Sequence, residues 1–192
     1  MNVKRLFLLI LGAVSCGMLL GVVLASSGLF AHISTINGLI TGGFVSATSL
    51  MGFWAYLTLN FIMRGFRFWH ALQVIVLAIV CIDVVVLRHD LQGAMDSYAP
   101  YLWFAVWPLL IAGIAAGIKA KLAGARAFLP ALFFMYVFTI VEWIPGLQLS
   151  GQLGMQTMVG IILLGCNSFL LLILGKIIKP STPVEGKSAV MN

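Results

Sequence analysis

The strongest constraint on the fold is the segment 49–90, which reads SLMGFWAYLTLNFIMRGFRFWHALQVIVLAIVCIDVVVLRHD. It consists of an apolar run, a short turn that carries Arg64 and Arg67, and a second apolar run that ends in charged residues. At 1.5 Å per residue, each run is long enough to cross the hydrocarbon core of a bilayer, which is about 30 Å thick. The segment therefore predicts a membrane hairpin.

The composition excludes an ordinary soluble domain. Hydrophobic residues make up 62% of the chain and charged residues only 8%, whereas soluble domains carry about 25% charged residues. The net charge of +6 does not indicate nucleic-acid binding, because the cations stand singly or in pairs at the ends of apolar runs. Cys16, Cys81 and Cys166 lie inside apolar runs without metal-ligand spacing, so they predict neither a zinc site nor disulfides.

Six apolar runs predict an all-α integral membrane protein, a six-helix transmembrane bundle that forms one domain over residues 1–179. The predicted spans are 6–27, 39–62, 69–87, 100–118, 128–144 and 154–175. The first is longer than the apolar region of a cleavable signal peptide, so we expect it to be retained, with cleavage as the alternative. The polar tail at 180–192 is expected to be disordered in the cytoplasm.

Loop charges orient the bundle, because cytoplasmic loops are enriched in lysine and arginine. With the N-terminus and the C-terminus cytoplasmic in the cell membrane, ten of the 11 Lys and Arg residues fall inside and Arg88 alone falls outside. The inner cations are Lys4, Arg5, Arg64, Arg67, Lys119, Lys121, Arg126, Lys176, Lys179 and Lys187.

Three ionisable residues predict a charge cluster near the outer end of the bundle. Asp83 and Glu142 lie within apolar runs at similar predicted depth, and Arg88 is the one outward cation. We expect Arg88 to neutralise Glu142, Asp83 or both, with His89 nearby. The cluster is either an ion pair that fixes the third span to the fifth, or a site for a ligand, a proton or a partner group.

Two further sets of residues lie at the cytoplasmic side of the hairpin. Asn60 and Gln73 are placed to lock it by an amide hydrogen bond. Arg64, Arg67 and Trp69 belong to a basic aromatic turn, which suits either anionic lipid headgroups or a cytoplasmic partner.

Small residues and prolines give expectations about packing. Gly17 with Gly21, and Gly113 with Gly117, have the four-residue spacing that allows close helix approach. Pro108 is expected to kink the fourth span, and Pro145 to end the fifth.

The sequence contains no HExxH, GxSG, paired-glutamate, phosphate-binding glycine-rich or aspartate-rich motif. We therefore expect no catalytic, metal or cofactor site and no enzyme activity. A lipid-modifying enzyme that uses Asp83 or Glu142 as acid or base is the alternative.

The segments MGFWAYLTLNFIMRGFRFWHALQVIVLAIVCIDVVVLR and AFLPALFFMYVFTIVEWIPGL resemble the KinB signalling pathway activation protein family, KbaA. The most distinctive stretches are 51–57, 69–88 and 128–145, and the length and six-span layout also fit. The resemblance implies a multi-pass membrane protein that promotes the KinB sensor-kinase branch of the sporulation phosphorelay. It implies no catalytic residues.

We therefore predict a membrane regulator that contacts a sensor histidine kinase or an associated membrane protein, through small-residue helix faces and the turn at 64–69. The alternative is a substrate-binding subunit, similar to the S-components of vitamin-type transporters. An outward cavity lined by Asp83, Arg88, Trp103 and Glu142 would favour that alternative, and a tightly filled outer half would favour the regulator.

Overall fold

A computed structural model describes residues 3–30, 33–63, 65–92, 98–147 and 153–178. Arg64 and the tail at 180–192 lie outside these ranges, so the predictions made for them are not addressed by the structure.

The described residues form an all-helical bundle. Helix α1 spans Val3–Ser26, α2 Thr35–Met63, α3 Trp69–Gln92 and α4 Leu102–Ala123, the last preceded by a 3-10 turn at Ala99–Tyr101. A second 3-10 turn at Ala125–Ala127 leads into α5, Phe128–Phe133, followed by a π-helical segment at Phe134–Phe138 and by α6, Thr139–Leu147. The last helix, α7, spans Leu153–Ile178.

Six helical rods in this part of the chain are long and apolar enough to cross a membrane, which confirms the predicted number. They contain between 20 and 29 residues, and the fifth rod is the composite of α5, the π-helical segment and α6. The third helix extends to Gln92, beyond the predicted end at 87. Pro145 does not end the fifth rod, because α6 continues to Leu147.

Glycines bring α1 and α2 into backbone contact. A Cβ atom added to Gly21 would collide with the carbonyl oxygen of Gly38, and one added to Gly42 would collide with that of Gly17. Only hydrogen fits between these backbones, which is the close approach that four-residue glycine spacing allows. The expectation for Gly17 and Gly21 is therefore confirmed, and this face of α1 is occupied within the bundle.

The second glycine pair has a different position. Cβ atoms built on Gly113 and Gly117 of α4 would meet no atom within 4 Å among the described residues. This pair makes no close helix contact inside the described part of the chain.

The π-helical segment turns four consecutive side chains, those of residues 134–137, into the core. Phe134 packs against Phe53 and Tyr56 of α2, with ring centroids 5.6 Å and 4.8 Å apart. The Tyr56 hydroxyl donates a hydrogen bond of 3.0 Å to the carbonyl oxygen of Pro130. Single-turn π-helices are often found at functional sites. Here the contacts of Phe134 with α2 fix the position of α6, which follows directly in the chain.

The outside of the bundle is covered by large apolar side chains. Phe44, Phe61 and Ile114 are 76%, 80% and 66% exposed. Soluble monomers rarely expose apolar surface on this scale, so the surface of the bundle is compatible with a membrane protein.

The glycine contact yields a test of the α1–α2 packing. The substitution Gly21→Ala is expected to lower the free energy of unfolding by about 1–3 kcal/mol, because the new methyl group must push two backbones apart. Reversible unfolding in mixed detergent micelles measures this change. The matched control is Gly113→Ala, which places the same methyl group in open space; equal losses for the two variants would contradict the close contact.

Candidate functional site

Polar side chains of α2, α3, α6 and α7 form two clusters, the first of which also includes an aromatic ring from α4. We call the first the Arg88 cluster; it consists of Arg88, Phe104, Trp143, the Leu147 carbonyl and Gln156. We call the second the central cluster; it consists of Ser49, Thr139, Glu142 and Asn167. Helix α6 contributes to both, so its position connects them.

The Arg88 cluster is built around a side chain that is only 1% exposed. Nη1 of Arg88 donates hydrogen bonds to Oε1 of Gln156 at 2.9 Å and to the carbonyl oxygen of Leu147 at 3.3 Å. The guanidinium carbon lies 4.2 Å from the ring centroid of Phe104, a cation–π contact. Arg88 thereby links α3 to α4, α6 and α7.

The chain supplies a suitable acceptor for Arg88 at the end of α6. Leu147 is the last residue of this helix, and the final carbonyls of a helix lack intrahelical partners and carry partial negative charge. Nε2 of Gln156 donates to the same carbonyl at 3.2 Å, and Nε1 of Trp143 donates to the carbonyl oxygen of Gln156 at 2.7 Å. The C-terminal carbonyl of α6 therefore accepts from Arg88 in place of the predicted carboxylate of Glu142 or Asp83.

The predicted ion pairs of Arg88 are not formed in the structure. Among the described residues the one ion pair within 4 Å joins His89 to its neighbour Asp90, at 3.2 Å. Asp83 is exposed on α3, whereas Arg88 is buried. The helix itself explains this, because five residues at 3.6 per turn rotate a side chain by about 140°, so the two point in different directions.

Glu142 belongs instead to the central cluster. Its Oε2 accepts a hydrogen bond of 3.2 Å from Nδ2 of Asn167, which also donates to Oγ1 of Thr139 at 2.9 Å. Oδ1 of Asn167 accepts a hydrogen bond of 2.6 Å from the hydroxyl of Ser49. One amide on α7 thus joins α2 to α6, and the side chains of Ser49, Thr139 and Asn167 are fully buried.

The Glu142 carboxyl lies against α2 where Gly52 has no side chain. A Cβ atom built on Gly52 would collide with Oε1 of Glu142. Oε1 is buried and has no hydrogen-bond partner in the described part of the chain. A glycine at this position therefore makes the room that the carboxyl occupies.

The predicted hairpin lock between Asn60 and Gln73 is not formed. Oδ1 of Asn60 accepts a hydrogen bond of 3.2 Å from Nε1 of Trp69. Gln73 is fully buried, and neither atom of its amide has a hydrogen-bond partner among the residues described. The hydrogen bond that links α2 to α3 is therefore made by Trp69, one helical turn before the predicted partner Gln73.

The basic aromatic turn is divided between the surface and the core. Phe66, Arg67 and Phe68 are exposed, whereas Trp69 is buried against Phe133, with ring centroids 5.8 Å apart. Trp69 is thus a packing residue of the bundle, and the exposed part of the turn is 65–68.

A groove of about 500 Å³ lies between α2, α6 and α7. Its lining is apolar except for Thr41, Thr48 and Glu142. The groove does not include Asp83, Arg88 or Trp103. It therefore differs from the outward cavity that would favour a transporter subunit, and Glu142 is the one ionisable residue in its described lining.

Sequence reasoning did not identify Ser49, Thr139 or Gln156 as parts of a site. The available signal was that each is a polar residue inside an apolar run. Sequence alone does not show which of these residues face one another, because that depends on helix rotation.

Comparisons with known proteins identify related sequences. Residues 12–177 match the model of the KbaA family, described as KinB-signalling pathway activation in sporulation. The chain is also 34% identical over 140 residues to the KinB-signaling pathway activation protein of Bacillus subtilis (strain 168), an alignment that covers 70% of each chain. No solved structure matches the chain significantly.

The central cluster yields a stability prediction. The substitution Asn167→Leu removes three interhelical hydrogen bonds and leaves buried partners without a donor or acceptor, so we expect a loss of about 2 kcal/mol in the free energy of unfolding. Detergent unfolding measures it. The control is Ser168→Ala on the same helix, whose hydroxyl makes only a 3.9 Å contact with the sulfur of Met135. A variant at 167 as stable as the control would show that the cluster contributes no net stability.

Proposed function

Because the chain belongs to the KbaA family, we propose that it is a multi-pass membrane protein that activates the KinB sensor-kinase pathway of sporulation. The observation that carries this proposal is the family match over residues 12–177, which includes the larger part of α1 and nearly all of every later helix. The Bacillus subtilis relative is named as a KinB-signaling pathway activation protein, and this name supports the same role.

The membrane location is supported by the surface and by the charges. Apolar side chains cover the outside of six rods of membrane-spanning length. The distribution of lysine and arginine in the loops favours cytoplasmic termini. We propose this orientation in the cell membrane, with Arg88 near the outer end of the bundle.

We propose that the protein acts by contact with a sensor kinase or an associated membrane protein, and not by catalysis. The sequence lacks recognised catalytic motifs, and both polar clusters link helices to one another. Such links fix a bundle in one arrangement, as expected of a protein whose function is to present a defined surface.

The cytoplasmic contact surface that we propose is the exposed turn at 65–68. Phe66 and Phe68 are 63% and 77% exposed, and Arg67 is exposed between them. Aromatic residues and arginine are enriched where protein interfaces gain most of their energy. The glycine face of α1, by contrast, is already occupied by α2.

Deletion of the gene tests the pathway assignment. We expect KinB-dependent phosphorelay output to fall several-fold, with restoration by a plasmid copy, and uptake of small metabolites to remain unchanged. A transcriptional reporter measures the phosphorelay output, and assays with radiolabelled metabolites measure the uptake. Normal output together with a defect in uptake would support the transporter-subunit alternative and reject the activator.

Charge reversal in the turn tests the contact surface. The substitution Arg67→Glu is expected to lower phosphorelay output several-fold at an unchanged level of membrane-bound protein, because it reverses the charge of the surface that the partner meets. The matched control is Lys121→Glu, an exposed cation in the last turn of α4 on the same predicted side. Equal effects would indicate that the charge acts on membrane insertion and not on a partner.

A further inference from the structure

Asp83 has an unusual position for a carboxylate. It lies on the exposed side of α3, within the predicted hydrocarbon region and about 7 Å deeper than Arg88 along the helix axis. Within the described part of the chain, Asp83 makes no hydrogen bond and no ion pair. A charged side chain that faces lipid is costly, so such residues normally face the bundle interior, a water-filled cavity or a partner.

The surface around Asp83 has the pattern of a helix-packing seam. Five exposed apolar residues follow one another at alternating intervals of three and four: Leu72, Ile75, Ile79, Ile82 and Val86. This is the heptad spacing of the a and d positions in a coiled coil, and Asp83 follows Ile82 at a flanking position, where charged residues select the partner helix.

Helix α3 is also the least covered helix of the bundle. Only 17% of the residues in its most apolar stretch are buried, compared with 22% to 56% in the other five rods. Ile82 at the centre of the seam is 66% exposed. The bundle therefore leaves one face of α3 without a protein neighbour among the residues described.

We propose that this seam is the docking surface for a transmembrane helix of another protein, and that the docked helix carries a lysine or arginine at the depth of Asp83. The charge of Asp83 favours a basic partner over a second copy of this chain. In a symmetric dimer the same face of α3 would meet itself, which would bring two Asp83 carboxylates together at one depth. A basic partner helix, in contrast, neutralises Asp83 and covers the apolar seam.

This inference rests on the membrane location proposed above and extends the contact function to a surface within the bilayer. It implies a two-part contact, with the turn at 65–68 outside the hydrocarbon and the α3 seam inside it. Both surfaces lie on α3 or immediately before it, so one partner helix with a cytoplasmic extension can reach both.

Photocrosslinking in native membranes tests the proposal. A photoreactive amino acid is placed at Ile82, and the matched control position is Ile114 on α4, which is equally exposed. We expect Ile82, and not Ile114, to crosslink to another protein, with the linked peptide in a transmembrane helix that contains a lysine or arginine.

Charge variants then test the role of the carboxylate. Asp83→Lys is expected to reduce the crosslink yield about fivefold or more, and Asp83→Asn to reduce it less, because the amide still forms a hydrogen bond. Exchange of the partner's basic residue for aspartate is expected to restore the yield with Asp83→Lys. The variant Asp90→Lys is the control, since Asp90 is exposed at the end of α3 and lies beside His89.

Three results would overturn the proposal: equal capture from Ile82 and Ile114, a crosslink between two copies of this chain, or an unchanged yield with Asp83→Lys at normal protein level.

Failure of this docking surface can be distinguished from failure of the pathway assignment. A charge-dependent crosslink in a strain whose deletion leaves KinB-dependent output intact would support the docking surface and reject the proposed function.

Discussion

The relative arrangement of α2, α6 and α7 depends on hydrogen bonds between their buried polar side chains. Asn167 uses both ends of its amide, accepting from Ser49 and donating to Thr139 and Glu142. Because an unpaired buried polar group is costly, these bonds fix the rotation of α2, α6 and α7 relative to one another. The positions of Gly52 and of the groove follow from that rotation.

The buried guanidinium of Arg88 is held without a carboxylate and is satisfied only at Nη1, since Nε and Nη2 are buried with no hydrogen-bond partner among the described residues. Arg88 donates to the free carbonyl at the end of α6 and to Gln156, and its guanidinium covers the ring of Phe104. A helix terminus, an amide and an aromatic face together provide the negative potential that a carboxylate would otherwise supply. Asp83 is thereby left without Arg88 as a partner, and this is the physical basis for proposing that another helix covers it.

The functional proposal has two parts with different support. Membership of the KbaA family rests on sequence similarity across the bundle. The mode of action is inferred from the surfaces that the fold leaves uncovered, namely the turn at 65–68 and the seam on α3. The two glycine pairs proposed for helix docking differ in their contacts. Gly17 and Gly21 pack against α2 inside the bundle, whereas Gly113 and Gly117 contact no other described helix.

The sequence by itself determined the number of helical rods, their approximate bounds and the family, because these depend on the length of apolar runs and on local residue order. It also located the polar residues that would need partners. Only the tertiary structure decided which of them meet: Arg88 bonds Gln156 and not Glu142, and Asn60 bonds Trp69 and not Gln73. The physical reason is that similar depth along a helix is readable from sequence, whereas a contact also requires the two side chains to face each other. That orientation is set by helix rotation and by packing at sites such as the α1–α2 glycines and the π-helical segment.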